Sequence, residues 1–426
     1  MVEQLTQIRK SIFLLTPIYV LTLVWSLTFL LFFLNPFQFS PLKPYTWFVL
    51  LTSLSLIYIG FFTSKLLSQG FRFVIAEKLS QRNDFPFLIL ELKPILFILT
   101  VISFAGIIGK NVLIFKAIGG IDELIKNPAF TRHFIIGVEQ GDIAINVFAY
   151  KIFSYMGSLV FICTLLGGLL YTIPKSKIVS IFPLFVSFIA AVFSLQRAAF
   201  IQNYLYWLIS AFIFIYYQPV ANQKKAINTI LRQLLYFVII FLIFSLFILV
   251  LRFLFAKPEK FLLIFNSFYL YIVGNIVLLD KYLVFEHQPL YGLSIFRSIV
   301  SWFATFGLAE KSSILPTHYE FYPIYNTIGN TFSFIRPLYD DFKLPGLLLI
   351  SYLWGLFSFI SINAYLRKFT FVRLGIASIF IYSLLWSFYG FAFIHITSTI
   401  WRLFLLLLLD LYMKEYSLKT KLLKYG

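Results

Sequence analysis

Apolar runs of about 20 residues recur along almost the whole chain, and that is the length an α-helix needs to cross the hydrocarbon core of a bilayer. Inside hydrocarbon no water reaches peptide N–H and C=O groups, so only helices, which satisfy those groups internally, or closed barrels can span. The runs are continuous rather than alternating, which excludes a barrel. With 426 residues, 60% of them hydrophobic and 20% aromatic, and a mean hydropathy of +0.90, little sequence is left for a soluble domain. The sequence therefore reads as an all-α, polytopic membrane protein forming a single integral-membrane domain over residues 1–426.

Spanning helices are expected at roughly 12–34, 46–65, 94–115, 152–172, 178–196, 199–217, 233–252, 346–365, 374–394 and 396–412, about ten in all. The first exceeds a signal-peptide core and is followed by no small-residue cleavage site, so it reads as a retained helix. A formal net charge of +18 does not point to nucleic acid, because the basic residues punctuate the apolar runs instead of clustering in a soluble region. They act as topology signals. The stretch from Lys65 to Lys93, the Lys175/Lys177 turn, the Lys224, Lys225 and Arg232 segment, the Arg367, Lys368 and Arg373 turn and the Lys-rich tail are almost free of acids. The alternate loops mix in Asp122, Glu123, Glu139, Asp142, Asp280, Glu286, Glu310, Glu320, Asp340 and Asp341. By the positive-inside rule both termini are cytoplasmic, and a large external loop, about 253–345, joins the seventh and eighth spans. Within it "KFLLIFNSFYLYIVGNIVLLDKYL" is apolar but interrupted by Asn266, Gly274 and Asn275, which suits a helix at the interface or one dipping back into the protein. The single cysteine, Cys163, falls inside an apolar run and reads as a small core residue, which argues against disulfides, cysteine metal centres or thiol chemistry.

Ionisable groups at the lip of the membrane carry the functional signal, since a charge there is costly and usually has a partner or a task. Three sets qualify. In "FSLQRAAFIQNY" the apolar stretch from Lys177 to Tyr217 is too long for one span and must break near Arg197, which either snorkels to lipid head groups or holds a lipid-linked phosphate. In "HITSTIWR", His395, Ser398, Thr399 and Arg402 recur at i, i+3, i+4 and i+7 and share a helix face, with Arg402 facing a polar cavity or pairing with a buried carboxylate. In "GNTFSFIRPLYDDFKLPG", Arg336 and Asp340 stand at i, i+4, the spacing of a local ion pair. The adjacent Asp340 and Asp341 are a weak signal for a divalent cation. No helical His-Glu-x-x-His, phosphate-binding Gly-rich loop or nucleophile elbow occurs, and no metal site or cofactor is expected.

The segment "NTIGNTFSFIRPLYDDFKLPGLLLISYLWGLF" resembles the late signature of the Wzy-type oligosaccharide repeat-unit polymerases of O antigen and capsule. That signature reads Asn-x-Tyr-Thr-Phe, a Tyr, Asp-Phe-Gly, then Gly and a spanning helix with another Gly; Asn330, Thr331, Phe332, Tyr339, Asp341, Phe342, Gly346 and Gly355 match it. "YLYIVGN", "YGLSIFRSI" and "SLQRAAF" fit less specifically, and the likeness covers about a quarter of the chain. Lys343 stands where the pattern has glycine, so the tight turn is expected at Pro345-Gly346 instead.

The resemblance implies a GT-C-like, inverting membrane glycosyltransferase on the outer face of a bacterial cytoplasmic membrane. Its partners would be an undecaprenyl-pyrophosphate-linked donor and acceptor, membrane lipids and a chain-length regulator, with no nucleic acid. For that chemistry the pyrophosphate contacts are Arg197, Arg336 and Arg402; Glu320, His318 or Asp341 is the base; and His395, Tyr339 and Asn330 are further substrate contacts. A ligase moving finished glycan onto lipid A would use the same donor. A flippase would need a basic cavity too, but with more spans and with charges scattered along several helices.

Overall fold

The computed structural model describes residues 2–69, 92–120, 147–173, 176–194, 197–217, 262–284, 288–297, 299–300, 322–324, 327–329, 332–390, 393 and 396–425, with scattered positions between them. Among the described residues the continuous helices are α1 (Val2–Leu34), α2 (Pro44–Gln69), α3 (Leu92–Ile118), α4 (Val147–Ser158), α5 (Val160–Tyr171), α6 (Lys177–Ser194), α7 (Arg197–Phe214), α8 (Leu262–Tyr282), α9 (Ile335–Arg367), α10 (Phe371–Trp386) and α11 (Ile396–Tyr425). One short antiparallel hairpin, β1 (Tyr322–Ile324) and β2 (Thr327–Gly329), precedes α9. Among the described residues seven helices are long and apolar enough to cross a membrane: Thr16–Leu34 of α1, α2, α3, α4 taken with α5, α6, α7 with the turn after it, and α9. The protein is thus a membrane-embedded bundle of helices. The expected seventh span, about 233–252, lies almost wholly outside the described residues.

The chain forms two compact units, Met1–Gln81 with Asn266–Leu411, and Arg82–Phe265 with Tyr412–Gly426. In the second unit α5 is the centre: every residue from Phe161 to Tyr171 is buried, as expected of a helix that is apolar all round. Small residues let neighbours close on it. A Cβ on Gly168 would fall 2.1 Å from the Trp207 carbonyl oxygen of α7. Hydroxyl and indole donors take up carbonyls across helices: Ser210 Oγ donates to Leu165 O at 2.6 Å, and Trp207 Nε1 to Ser180 O at 2.9 Å. The span expected at 152–172 is present as Phe148–Tyr171, interrupted only at Leu159, where the backbone stays in the right-handed helical region (φ −60°, ψ −20°). Ser103 Oγ donates to Gly157 O at 3.1 Å, so a side chain from α3 engages a carbonyl of the helix ladder beside that interruption. The break expected near Arg197 is present, between Ser194 and Arg197.

In the first unit α2 and α9 lie in parallel: Tyr45 meets Tyr339, Ile57 meets Gly355 and Phe61 meets Phe359, so residue numbers rise together. Two glycines set the approach. A Cβ on Gly60 would lie 2.0 Å from Tyr352 O, and one on Gly355 would lie 1.9 Å from Ile57 O, so neither position has room for a side chain.

Helix α8 is continuous through Asn266, Gly274 and Asn275, and the Asn275 side-chain amide donates to Tyr271 O at 2.7 Å one turn back. It lies across one end of the unit. Tyr269 Oη donates to Leu31 O of α1 at 2.9 Å, and Tyr271 stacks on Tyr389 beyond α10 with ring centroids 5.4 Å apart. Asp280 accepts from Lys43 N at 2.8 Å and Thr46 Oγ1 at 2.6 Å, capping the start of α2. Helix α10 stops at Trp386, eight residues short of the expected 394. The aromatic run after it turns to pack on its neighbours: Phe334 N donates to Ser387 O at 2.9 Å, and the Phe393 ring reaches Phe380 at 5.3 Å. Asp410 of α11 accepts from Phe371 N at 2.7 Å and Val372 N at 3.0 Å, capping α10 from afar.

Candidate functional site

The segment 332–346 enters the first unit and comes back. The Phe334 ring lies 5.2 Å from Trp354 and 6.2 Å from Trp25. Trp354 is eleven residues beyond Lys343, about 16 Å down the helix axis. From that depth Ile335–Phe342 climbs as a short helix, the chain breaks at Lys343 (φ 53°, ψ −162°), and the long part of α9 descends. This is a re-entrant hairpin, the kind of irregular backbone that membrane depth tolerates only inside protein. Buried Phe334, Ile335 and Leu338 supply its apolar anchor.

The turn is at Lys343 and not at Pro345-Gly346. Pro345 instead falls in the first turn after the break, where a missing N–H costs nothing. A φ of 53° with ψ near −160° is close to glycine-only territory. The position where the resembling pattern has glycine is therefore one that demands it, and here lysine occupies it under strain.

Arg336 is 5% exposed and lies between two aromatic faces, its guanidinium carbon 4.2 Å from the Tyr282 ring centroid and 4.0 Å from that of Phe332. Such a desolvated cation–π contact contributes on the order of 2 kcal/mol per ring. The i, i+4 ion pair is present, with Arg336 Nε 3.5 Å from Asp340 Oδ2, and the Tyr282 hydroxyl donates to the other oxygen of Asp340. Asp340 and Asp341 point to different partners. Asp341 is fully buried and accepts from Ser294 N and Ile295 N, one to each carboxylate oxygen, both at 2.8 Å. The same loop is stitched again through backbone, Leu290 N to Asp340 O at 2.9 Å and Tyr291 N to Asp341 O at 3.1 Å. These bonds hold Tyr291 in a left-handed conformation (φ 50°) with its side chain 82% exposed.

Tyr339 is half-buried, its hydroxyl 3.2 Å from that of Tyr45. The structure thus gathers Arg336, Tyr339, Asp340 and Asp341 into one cluster at the α8-covered end of the first unit. Arg402 is half-buried on α11 of the same unit, with Ser398 and Thr399 preceding it. Arg197 opens α7 in the second unit, and its side chain is outside the described residues. His318, Glu320, Asn330 and His395 also lie outside the described residues.

Sequence reasoning missed the partners that shape the cluster. Phe332 stands four residues before Arg336, a local spacing that could have identified it. Tyr282, Tyr45 and the 294–295 amides are remote in sequence and leave no local signal. No protein family, curated protein or solved structure matches this chain.

Proposed function

We propose that the protein is an integral-membrane glycosyltransferase that polymerises undecaprenyl-pyrophosphate-linked oligosaccharide repeat units into a surface polysaccharide. The observation that carries the reading is the re-entrant segment: its sequence is the one that resembles the polymerase signature, and it holds a buried arginine between two aromatic faces at one end of the bundle. The positive φ at Lys343, where that signature has glycine, adds an independent backbone agreement.

In the reaction, an acceptor sugar hydroxyl attacks the anomeric carbon of the donor. The new C–O bond forms as the bond to the pyrophosphate oxygen breaks, the hydroxyl proton passes to a base, and undecaprenyl pyrophosphate leaves. A single displacement inverts the anomeric centre. Negative charge grows on the leaving oxygens, and preorganised guanidinium groups stabilise it most where water is excluded. Arg336 meets that requirement, since stacking and Asp340 fix its plane; Arg197 and Arg402 are the further cations of this proposal. With both Asp341 oxygens on backbone amides, Glu320 and His318 are the better bases. The site would face outward from a bacterial cytoplasmic membrane, with both termini inside.

The test is purified protein in detergent given only lipid-linked repeat units. A ladder of longer lipid-linked glycans, with undecaprenyl pyrophosphate released and no nucleotide added, is the expected result. Glycosylation of a second acceptor lipid without any ladder would replace this reading with a ligase, and movement of intact units between leaflets without transfer would replace it with a flippase.

A further inference from the structure

Along the short helix before the break, Arg336, Tyr339, Asp340 and Lys343 recur at i, i+3, i+4 and i+7, so one face carries two cations flanking one carboxylate. That carboxylate is engaged by Arg336 and by the Tyr282 hydroxyl, and the neighbouring Asp341 is engaged by the 294–295 amides. The Lys343 ammonium is over the face of the Tyr339 ring, 5.3 Å from its centroid, and its nitrogen is shielded from solvent. An ammonium has three donors to place, yet among the described residues none accepts a hydrogen bond from this one. The residue also costs its backbone about 1–3 kcal/mol of strain that glycine would avoid. A side chain kept at such a position, feeling the charge of Asp340 but with no hydrogen-bond acceptor among the described residues, is set for a ligand.

We propose that the Lys343 ammonium is an anion contact of this site, donating to the oxygens of a phosphate-class group, with the linked Tyr339 and Tyr45 hydroxyls at the rim. It deepens the function proposed above, and rests on it only for which phosphate is bound: the pyrophosphate of a lipid-linked glycan, or the head group of an anionic lipid.

Full-length protein in nanodiscs of neutral phosphatidylcholine is titrated calorimetrically with inorganic pyrophosphate, and its melting temperature is compared in discs containing phosphatidylglycerol. Lys343→Gly removes the ammonium while relieving the backbone, so it should melt at or above the wild-type temperature and bind pyrophosphate at least tenfold more weakly. If pyrophosphate does not bind but phosphatidylglycerol raises the wild-type melting temperature and not that of Lys343→Gly, the anion is a lipid head group. Pyrophosphate affinity within twofold of wild type in Lys343→Gly, or no Lys343-dependent response to either anion, overturns the inference. The ladder assay separates the two readings. Chain extension with a Lys343-independent affinity removes this contact alone, whereas a Lys343-dependent affinity in a protein that extends nothing removes the function and keeps the contact.

Discussion

Asp341→Ala separates an anchoring carboxylate from a proton-accepting one. Its two oxygens each take a buried backbone N–H at 2.8 Å. A charge-assisted bond of that kind contributes about 1.5–3 kcal/mol, so removing both should release the 290–295 loop at a cost of about 3–6 kcal/mol. Asp341→Asn keeps one acceptor but turns an NH2 toward the second amide, and should lose roughly half as much. A maleimide reports the opening well, because the native thiol, Cys163, is fully buried. Ser294→Cys keeps the backbone donor and places a thiol at a position that is 7% exposed. At 1.4 kcal/mol per tenfold, even the lower figure should raise the labelling rate about 100-fold when Asp341→Ala is added. Background labelling is read from the protein without Ser294→Cys. A double variant that labels at the slow rate, melts normally and yet extends no chains would refute the anchoring argument and put Asp341 among the reacting groups.

Arg197→Ala, Arg336→Ala and Arg402→Ala should each cut chain extension strongly while the protein still accumulates in the membrane, and Lys replacements should rescue only in part, since an ammonium lacks the planar fork; near-normal polymer from all three Ala variants would leave the pyrophosphate assignment unsupported. Asp340→Ala should destabilise by about 3–5 kcal/mol by stranding the buried Arg336, and adding Arg336→Met should restore the melting temperature but not activity. Reporter fusions after Lys225 and at the C-terminus should score cytoplasmic, with a tag near Lys311 accessible from outside; a shielded tag there would invert the proposed sidedness.

What the sequence disclosed was what local spacing can encode. The helix break at Arg197 follows from run length, and the Arg336–Asp340 pair follows from i, i+4 geometry. The sequence carries α10 too far because "SFYGFAF" is as apolar as a helix interior, although Tyr389 stacks on Tyr271 and Phe393 packs on Trp354 and Phe380. The turn was assigned to Pro345-Gly346 because those residues favour turns, yet Lys343 adopts the glycine-like backbone. The surroundings of Arg336 were illegible because Tyr282 is 54 residues away from it. A carboxylate that ends on backbone amides has, in sequence, the same appearance as one that ends on an arginine or a substrate.

Asp280, Asp341 and Asp410 share one relation to the order of synthesis. Each accepts from amides that precede it in the chain, at Lys43, at Ser294 and Ile295, and at Phe371 and Val372 respectively. As the ribosome extends the protein from its N-terminus, the backbone segment that donates is therefore already made when its aspartate emerges. A carboxylate left without a partner in a membrane protein is costly, and donors already in place, two amides each for Asp341 and Asp410 and one amide with the Thr46 hydroxyl for Asp280, offset that cost on arrival. The helix most dependent on this order is α11, whose Asp410 meets α10. Deleting residues 371–386 should lower the membrane insertion of the final segment, and Asp410→Leu should restore it; insertion unaffected by the deletion would show that α11 enters the bilayer unaided.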